Sequence, residues 1–330
     1  MTQEGNIMAN ITEIARLAKV SRSTVSRVLN NQPYVTSQKK EAVLEAIRLL
    51  DYVPNRNAIN LSKGKTNIIG IMVPQINHPF FNHLISGMGE ICADLNLSLL
   101  VNQTNSDPER EKISFDQLRY KQIDGLVIAS TVSSATELSE INKYGPIVSC
   151  EWSEGDHAQV YIDHSNGIEL VMNHLKEKGY QSIALCLGNP DSGVGKSRKS
   201  AFDKFIDNSN CTHSHEWYFE KRYSFEDGKT VMNELYKLSA LPRAIVVGND
   251  YVAAGIIHQA RLLKIRVPED LAVTGFDNQS IAEALHITTI DQPIHQLGIE
   301  AVKMMDSLIN HRHKVEQNTL SLRLIIRQST

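Results

Sequence analysis

From residue 67 onward, short apolar runs alternate with longer amphipathic stretches, and this alternation restricts the fold more than any other feature. Strand-like runs occur at 68–73, 97–101, 125–129, 147–150, 183–187, 244–247 and 271–274. Helical periodicity fills the gaps, as at 81–95 and 167–178. A parallel strand needs a crossover of a dozen or more residues before the next, and an amphipathic helix supplies it. Regular βα alternation therefore predicts parallel sheets with helices on both faces. A chain of 330 residues has room for two such lobes and a smaller unit before them.

Residues 1–66 read differently. Three short amphipathic helices fit here. The first follows Asn10, an N-cap residue with Glu13 three positions on, and turns Ile11, Ile14, Ala15 and Ala18 inward. The second follows Ser21 and buries Val25, Val28 and Leu29. The third begins near Thr36 and uses Val43, Ala46, Ile47 and Leu50. Helix, tight turn, helix and a supporting third helix is a helix-turn-helix arrangement. The charge agrees. Residues 1–66 carry ten Lys or Arg against five Asp or Glu, a balance of +5, whereas the whole chain is −3 and the remainder therefore −8. A basic block on an acidic body predicts a polyanion-binding module.

On the second helix, Arg22, Ser23 and Arg27 fall opposite the apolar stripe. An arginine can offer a bidentate donor fork to guanine O6 and N7 in the major groove. Thr24, Ser26 and Asn30 are short donors suited to phosphate oxygens, which fix register without reading sequence.

Several function classes find no support. No G-x-G-x-x-G or G-x-x-x-x-G-K-[ST] follows a strand, and no G-x-S-x-G is present, so neither a dinucleotide or P-loop site nor an enzyme is expected. Cys92, Cys150, Cys186 and Cys211 form no C-x-x-C pair and read as reduced, buried thiols. His213 and His215 read as loop residues rather than metal ligands, so no metal or cofactor is expected. No apolar run reaches the length of a membrane span, and the first residues show no basic stretch followed by an apolar one. A cytoplasmic protein without membrane partners is the expectation, with a headpiece that needs nothing before Met8.

In open α/β sheets, ligands bind beyond the carboxyl ends of the strands. Those ends carry Asn77 to Phe81, the amide-rich 102–105, Glu151 with Trp152, Asp163, Asn249 with Asp250, and Asp277 with Asn278. Flat aromatic faces beside carboxylates and amides suit a polyhydroxylated or heterocyclic ligand. Asp250 is read as a cap for the helix after it.

The segment from Asn10 to Asn30, and above all Val20-Ser21-x-x-Thr24-Val25-Ser26-Arg27-Val28-Leu29-Asn30, resembles the headpiece of the LacI/GalR repressor family. Lys19 stands where that family usually has glycine in the inter-helix turn. The stretch Tyr52-Val-Pro-Asn55-Arg-Asn-Ala58-Ile-Asn-Leu61 is similar to the family's hinge, with Ile59 and Asn60 in place of its usual Arg-Ser. The body matches the family's periplasmic-binding-protein-like core at Val73-Pro-Gln-Ile-Asn-His-Pro-Phe-Phe81, Asp124-Gly125, Gly248-Asn-Asp250, Val267-Pro268-Glu269-Asp270, Gly275-Phe276-Asp277 and Gln292-Pro293, with a closing strand at the end of the chain.

The resemblance implies an all-α helix-turn-helix headpiece (9–55), a hinge (56–66) and a core of two doubly wound parallel-sheet lobes. The first lobe would comprise 67–163 with 293–321, and the second 164–292 with 322–330. It implies base reading by Arg22, Ser23 and Arg27, and DNA contacts at Asn55, Ala58 and Leu61, with Leu61 wedged between base pairs from the minor groove. Effector contacts fall on Phe81, Trp152, Asp163, Arg198 and Asp277, with Phe80 and Asn249 beside them. Position 192 and its neighbours lack the arginine of purine-binding relatives, which favours a sugar or sugar phosphate over a nucleobase. The function implied is a homodimeric repressor of a carbohydrate operon on a pseudo-palindromic double-stranded operator. The alternatives are a catabolite-control regulator whose corepressor is a phosphorylated carrier protein, and a sugar-binding transport receptor.

Overall fold

The computed structural model describes residues 10–30, 32–53, 60, 64–310 and 317–330. The chain divides into two units, 1–66 and 67–330.

The first unit contains α1 (Ile11–Leu17), α2 (Arg22–Leu29) and α3 (Ser37–Leu49). Asn10 starts α1 with a complete capping box: its side-chain oxygen accepts from the Thr12 and Glu13 amides, and Glu13 accepts from the Asn10 amide in return. Ser21 caps α2 through the Thr24 amide. Between them Lys19 is left-handed, at φ 52°. The three helices close on a small core of Ile14, Ala15, Val25, Val28, Val43 and Ala46.

The second unit holds two six-stranded sheets. The first is built from β1 (Ile68–Val73), β2 (Ser98–Gln103), β3 (Gly125–Ile128), β4 (Ile147–Ser149), β5 (Ala158–Ile162) and β11 (Gln317–Leu320). Its order is β11-β5-β4-β3-β1-β2, and every pairing is parallel. The second comprises β6 (Ile183–Cys186), β7 (Tyr218–Phe219), β8 (Ala244–Val247), β9 (Ala272–Phe276), β10 (Thr288–Asp291) and β12 (Arg323–Ile325). Its order is β12-β10-β9-β8-β6-β7, parallel except for β12 against β10. Strands β3, β6, β8 and β9 are buried along their whole length, as continuous apolar strands covered on both faces must be.

Helices α4 (Pro79–Asp94), α5 (Pro108–Arg119), α6 (Ala135–Asn142) and α12 (Ile294–Ile309) serve the first sheet. Helices α7 (His164–Glu177), α8 (Gly193–Asp207), α9 (Phe225–Tyr236), α10 (Asp250–Leu262) and the short α11 (Ser280–Ala284) serve the second. The chain passes between the lobes three times: after β5, after β10 and between β11 and β12. The late segment is integral to the early lobe, because α12 crosses α4 at backbone contact. A Cβ on Gly87 would lie 2.1 Å from the His295 carbonyl oxygen, and one on Gly298 would lie 2.3 Å from that of Leu84.

Candidate functional site

Two surfaces carry chemistry. On α2, Val25 and Val28 are buried, while Arg22, Ser23, Ser26 and Arg27 are exposed. Thr24 and Asn30 are half-buried. The Ser21 hydroxyl lies 2.7 Å from that of Ser23 and 2.9 Å from that of Thr24, so these short side chains form one cluster at the start of the helix. The Asn30 amide donates to the Ser26 carbonyl at 2.8 Å and closes the other end. Both arginines therefore project from a helix whose ends are tied locally. Asn55, Ala58 and Leu61 lie outside the described residues.

The second surface is a cleft of about 520 Å³ between the two sheets of the core unit. It opens where the strands of both lobes end, and its size is that of a small-molecule site. Arg198, on α8, anchors it. One guanidinium nitrogen, Nη1, donates to the Gly248 carbonyl at 2.8 Å, and the other, Nη2, to His164 Nδ1 at 3.2 Å. An arginine has no acceptor, so Nδ1 of His164 supplies the lone pair and Nε2 carries the hydrogen. Burial, and then the Arg198 charge, hold His164 well below the usual imidazole range, which keeps it neutral. The guanidinium also lies over the Phe276 ring, 3.8 Å from its centroid. Arg198 Nε is buried without a partner among the described residues. Burial lowers the Arg198 pKa to about 10, against the opposing pull of Asp277 and Glu151.

Asp277 is buried in the cleft wall with φ 102°, followed by Asn278 at φ 49°. Such a backbone costs about 1–3 kcal/mol and persists only where its surroundings hold it. Here they do. The Gln292 and Gln279 amides donate to the two Asp277 carboxyl oxygens. Asn278 donates to Asp291 at 3.0 Å and accepts from Arg327 at 2.8 Å. Burial raises the Asp277 pKa to about 8, helped by Asp250 and opposed by Arg198. Burial likewise brings Glu151 to about 7, with Ser130 and Arg198 opposing it. Near neutral pH both carboxyl groups can donate or accept a hydrogen bond.

Phe80, Phe81, Arg198, Asn249 and Asp277 all line the cleft. Phe80 packs edge-on to Phe81 at 5.2 Å and also against the first lobe's core, so it serves both. Asn249 has a second task, since its oxygen caps α10 through the Val252 amide at 2.8 Å. The cap expected of Asp250 is thus Asn249's. Asp250 instead sits fully buried at the first helical position, accepting from Thr289 at 2.6 Å and from the Gln279 amide at 2.7 Å. Trp152 and Asp163 are not on this wall. They line a neighbouring pocket of about 270 Å³, where Asp163 caps α7 through the Ser165 and Asn166 amides.

Sequence reasoning placed His78 and Glu151 at ligand-facing strand ends without giving them an effector contact, and it passed over His164. His164 is the second residue after strand β5 and the first of α7, and that position was the available signal. His78 Nδ1 is buried without a partner among the described residues, and burial lowers its pKa. No group of three or more His, Cys, Asp or Glu among the described residues could hold a metal ion, and no described helix is long and apolar enough to cross a membrane.

The model of the lacI family of bacterial regulatory proteins matches residues 10–55, and that of a periplasmic binding protein-like domain matches 172–330. The NTD biosynthesis operon regulator NtdR of Bacillus subtilis (strain 168) is 39% identical, over 98% of this chain and 100% of its own length. Catabolite control protein B of the same organism is 33% identical, over 93% of this chain and 99% of its own length. The lac repressor dimer bound to operator and the anti-inducer ONPF superposes with a TM-score of 0.82 at 23% identity, covering 98% of this chain and 99% of that one.

Proposed function

Because the chain belongs to the lacI family of bacterial regulatory proteins, and is thus a DNA-binding transcriptional regulator with an effector-binding domain, we propose that it is a cytoplasmic homodimeric repressor whose effector is a neutral, polyhydroxylated sugar held in the interlobe cleft. The observation that carries this reading is the pairing of a buried Arg198 fork with Asp277 and Glu151 across a wall of Phe80 and Phe81. Arg198 donates to vicinal hydroxyls, the carboxyls accept from them, and a phenyl ring covers the apolar face of the sugar. Asp191 on the wall opposes a phosphorylated sugar, for which Arg198 and Lys221 are the lining cations.

On the DNA side, Arg22, Ser23 and Arg27 read base edges and Thr24, Ser26 and Asn30 hold phosphates. Two headpieces related by a two-fold axis would meet a pseudo-palindromic operator, with paired Leu61 wedges at its centre. The effector acts by binding one arrangement of the lobes more tightly than the other.

The test is fluorescence anisotropy of a labelled palindromic operator, titrated with the protein at fixed salt and then with neutral sugars, sugar phosphates and nucleobases. A neutral sugar that shifts operator affinity about tenfold, or 1.4 kcal/mol of coupling, supports the reading. A shift by a nucleobase or phosphate alone refutes the effector class. Tight operator binding that no small molecule moves would instead favour a phosphorylated carrier protein as corepressor. The likeness to catabolite control protein B is what speaks for that second reading.

A further inference from the structure

Beside the cleft lies a second chamber of about 430 Å³. The two share Ser130, Glu151, Asn189 and Asp191 as walls, so they lie side by side. Both lobes build the second chamber. The first lobe contributes the hydroxyl-rich loop 130–134 and the loop bearing Trp152, and the second contributes Gly193 and Lys196 at the start of α8. Either volume alone lies within the range of small-molecule sites.

The chamber is firmly held. Glu111, fully buried on α5, accepts from the Thr131 hydroxyl at 2.6 Å, the Ser133 hydroxyl at 2.8 Å and the Val132 and Ser133 amides at 3.0 and 3.2 Å. A carboxylate withdrawn from water needs such a set of donors, and in satisfying it the loop is fixed. Thr131 and Ser133 are thereby committed as donors and keep acceptor lone pairs. The Trp152 loop is held in the same way. Buried Gln159 exchanges two hydrogen bonds with the Ser153 backbone, at 3.1 and 2.7 Å, and buried His157 lies 3.1 Å from the Ser153 hydroxyl. Between these two held loops Trp152 is 56 % exposed. An exposed indole on a fixed loop beside fixed hydroxyls is a stacking platform for a sugar ring.

We propose that the second chamber is a subsite for a second sugar ring, so that the effector is a disaccharide with one ring against Phe81 and Arg198 and the other over Trp152. This rests on the reading of the cleft as a sugar site. It also gives Trp152 a ligand-binding role that its absence from the first chamber's wall would otherwise remove.

Trp152 reports on its own subsite, because the other tryptophan, Trp217, packs against the second lobe's core. In full-length Trp217→Phe protein, glucose, maltose, cellobiose and sucrose are titrated by intrinsic fluorescence, and the unmodified protein is titrated by calorimetry. The expected result is a disaccharide that binds at least tenfold more tightly than glucose and shifts Trp152 emission. Gly193→Leu should collapse that ratio to near one. A Cβ there meets nothing closer than 3.8 Å, so the backbone accepts a side chain that projects from this wall of the chamber. Glucose binding with no disaccharide gaining affinity or moving Trp152 emission overturns the subsite and leaves the sugar reading intact. Calorimetry showing none of the four sugars binding overturns both.

Discussion

Arg27 stands in solvent on α2, whereas Arg198 is 8 % exposed and clamped among a carbonyl, an imidazole and a phenyl ring. In the function proposed above, the same side chain would serve two different ligands from two different settings. A duplex brings its own dense charge, so the reading helix needs only to hold its donors outward, and local capping by Ser21 achieves that. A small neutral ligand brings little charge, so the cleft must orient its groups beforehand. It does so with contacts between residues far apart in sequence. One surface is organised within a turn or two of helix and the other by tertiary structure.

If that contrast is right, removing each arginine has a distinct signature. The largest effect is expected from Arg198→Ala. It removes a charged donor to the ligand and strips Asp277 of its cation, so effector affinity should fall about 100-fold. Operator affinity without effector should stay within about twofold. Parallel calorimetry and anisotropy would check this, and an equal loss in both assays would break the distinction. Arg22→Ala comes next, with a loss of about 1–3 kcal/mol confined to one base position. A competition titration across operator variants would measure it, and a uniform loss on all sequences would make Arg22 a phosphate contact.

A third effect is a pH dependence of the core. Burial raises Asp277 to about 8 and Asp250 to about 7, while the unfolded chain titrates near ordinary carboxylate values of about 4. Between those limits the folded core binds more protons than the unfolded chain. The stability these groups contribute is therefore fully present below about pH 4 and is lost as pH rises toward 8. Thermal melts of the core should show this fall, shallower in Asp277→Asn, and an identical slope in the variant would contradict it. The smallest effect belongs to Lys19→Gly in the inter-helix turn. Relief of its left-handed backbone should stabilise the headpiece by about 1 kcal/mol. Slower amide exchange in α1 and α2 of the intact protein would reveal it.

The same contrast explains what the sequence made legible. Cap residues and apolar stripes placed α1 and α2, because local side chains determine both. Runs of apolar residues placed β1, β3, β4, β6, β8 and β9, since strands buried on both faces can be little else. Helix starts were less accurate. The pattern at 81–95 begins two residues late, because His78 and Pro79 open α4 without contributing to the apolar stripe. The pattern at 167–178 begins three late, because α7 starts from the cap at Asp163. The edge strand Gln317–Leu320 escaped notice, since Gln-Asn-Thr-Leu has no apolar run. In the cleft, Arg198 and Asp277 were recognisable by family position, but the His164 contact spans 34 residues. Likewise, Asp163 and Trp152 stand at strand ends as expected, yet side-chain direction sent them to neighbouring pockets.

The backbone contact between α4 and α12 has a consequence for how the protein is made. The face of α4 around Gly87 has no cover until residues 294–309 have left the ribosome, and the first sheet lacks its β11 edge for longer still. The three-helix unit has all of its core by residue 52. Synthesis from the N-terminus therefore supplies the DNA-reading module long before the sensing module can close. A chain broken off before residue 294 would keep the first and lose the second.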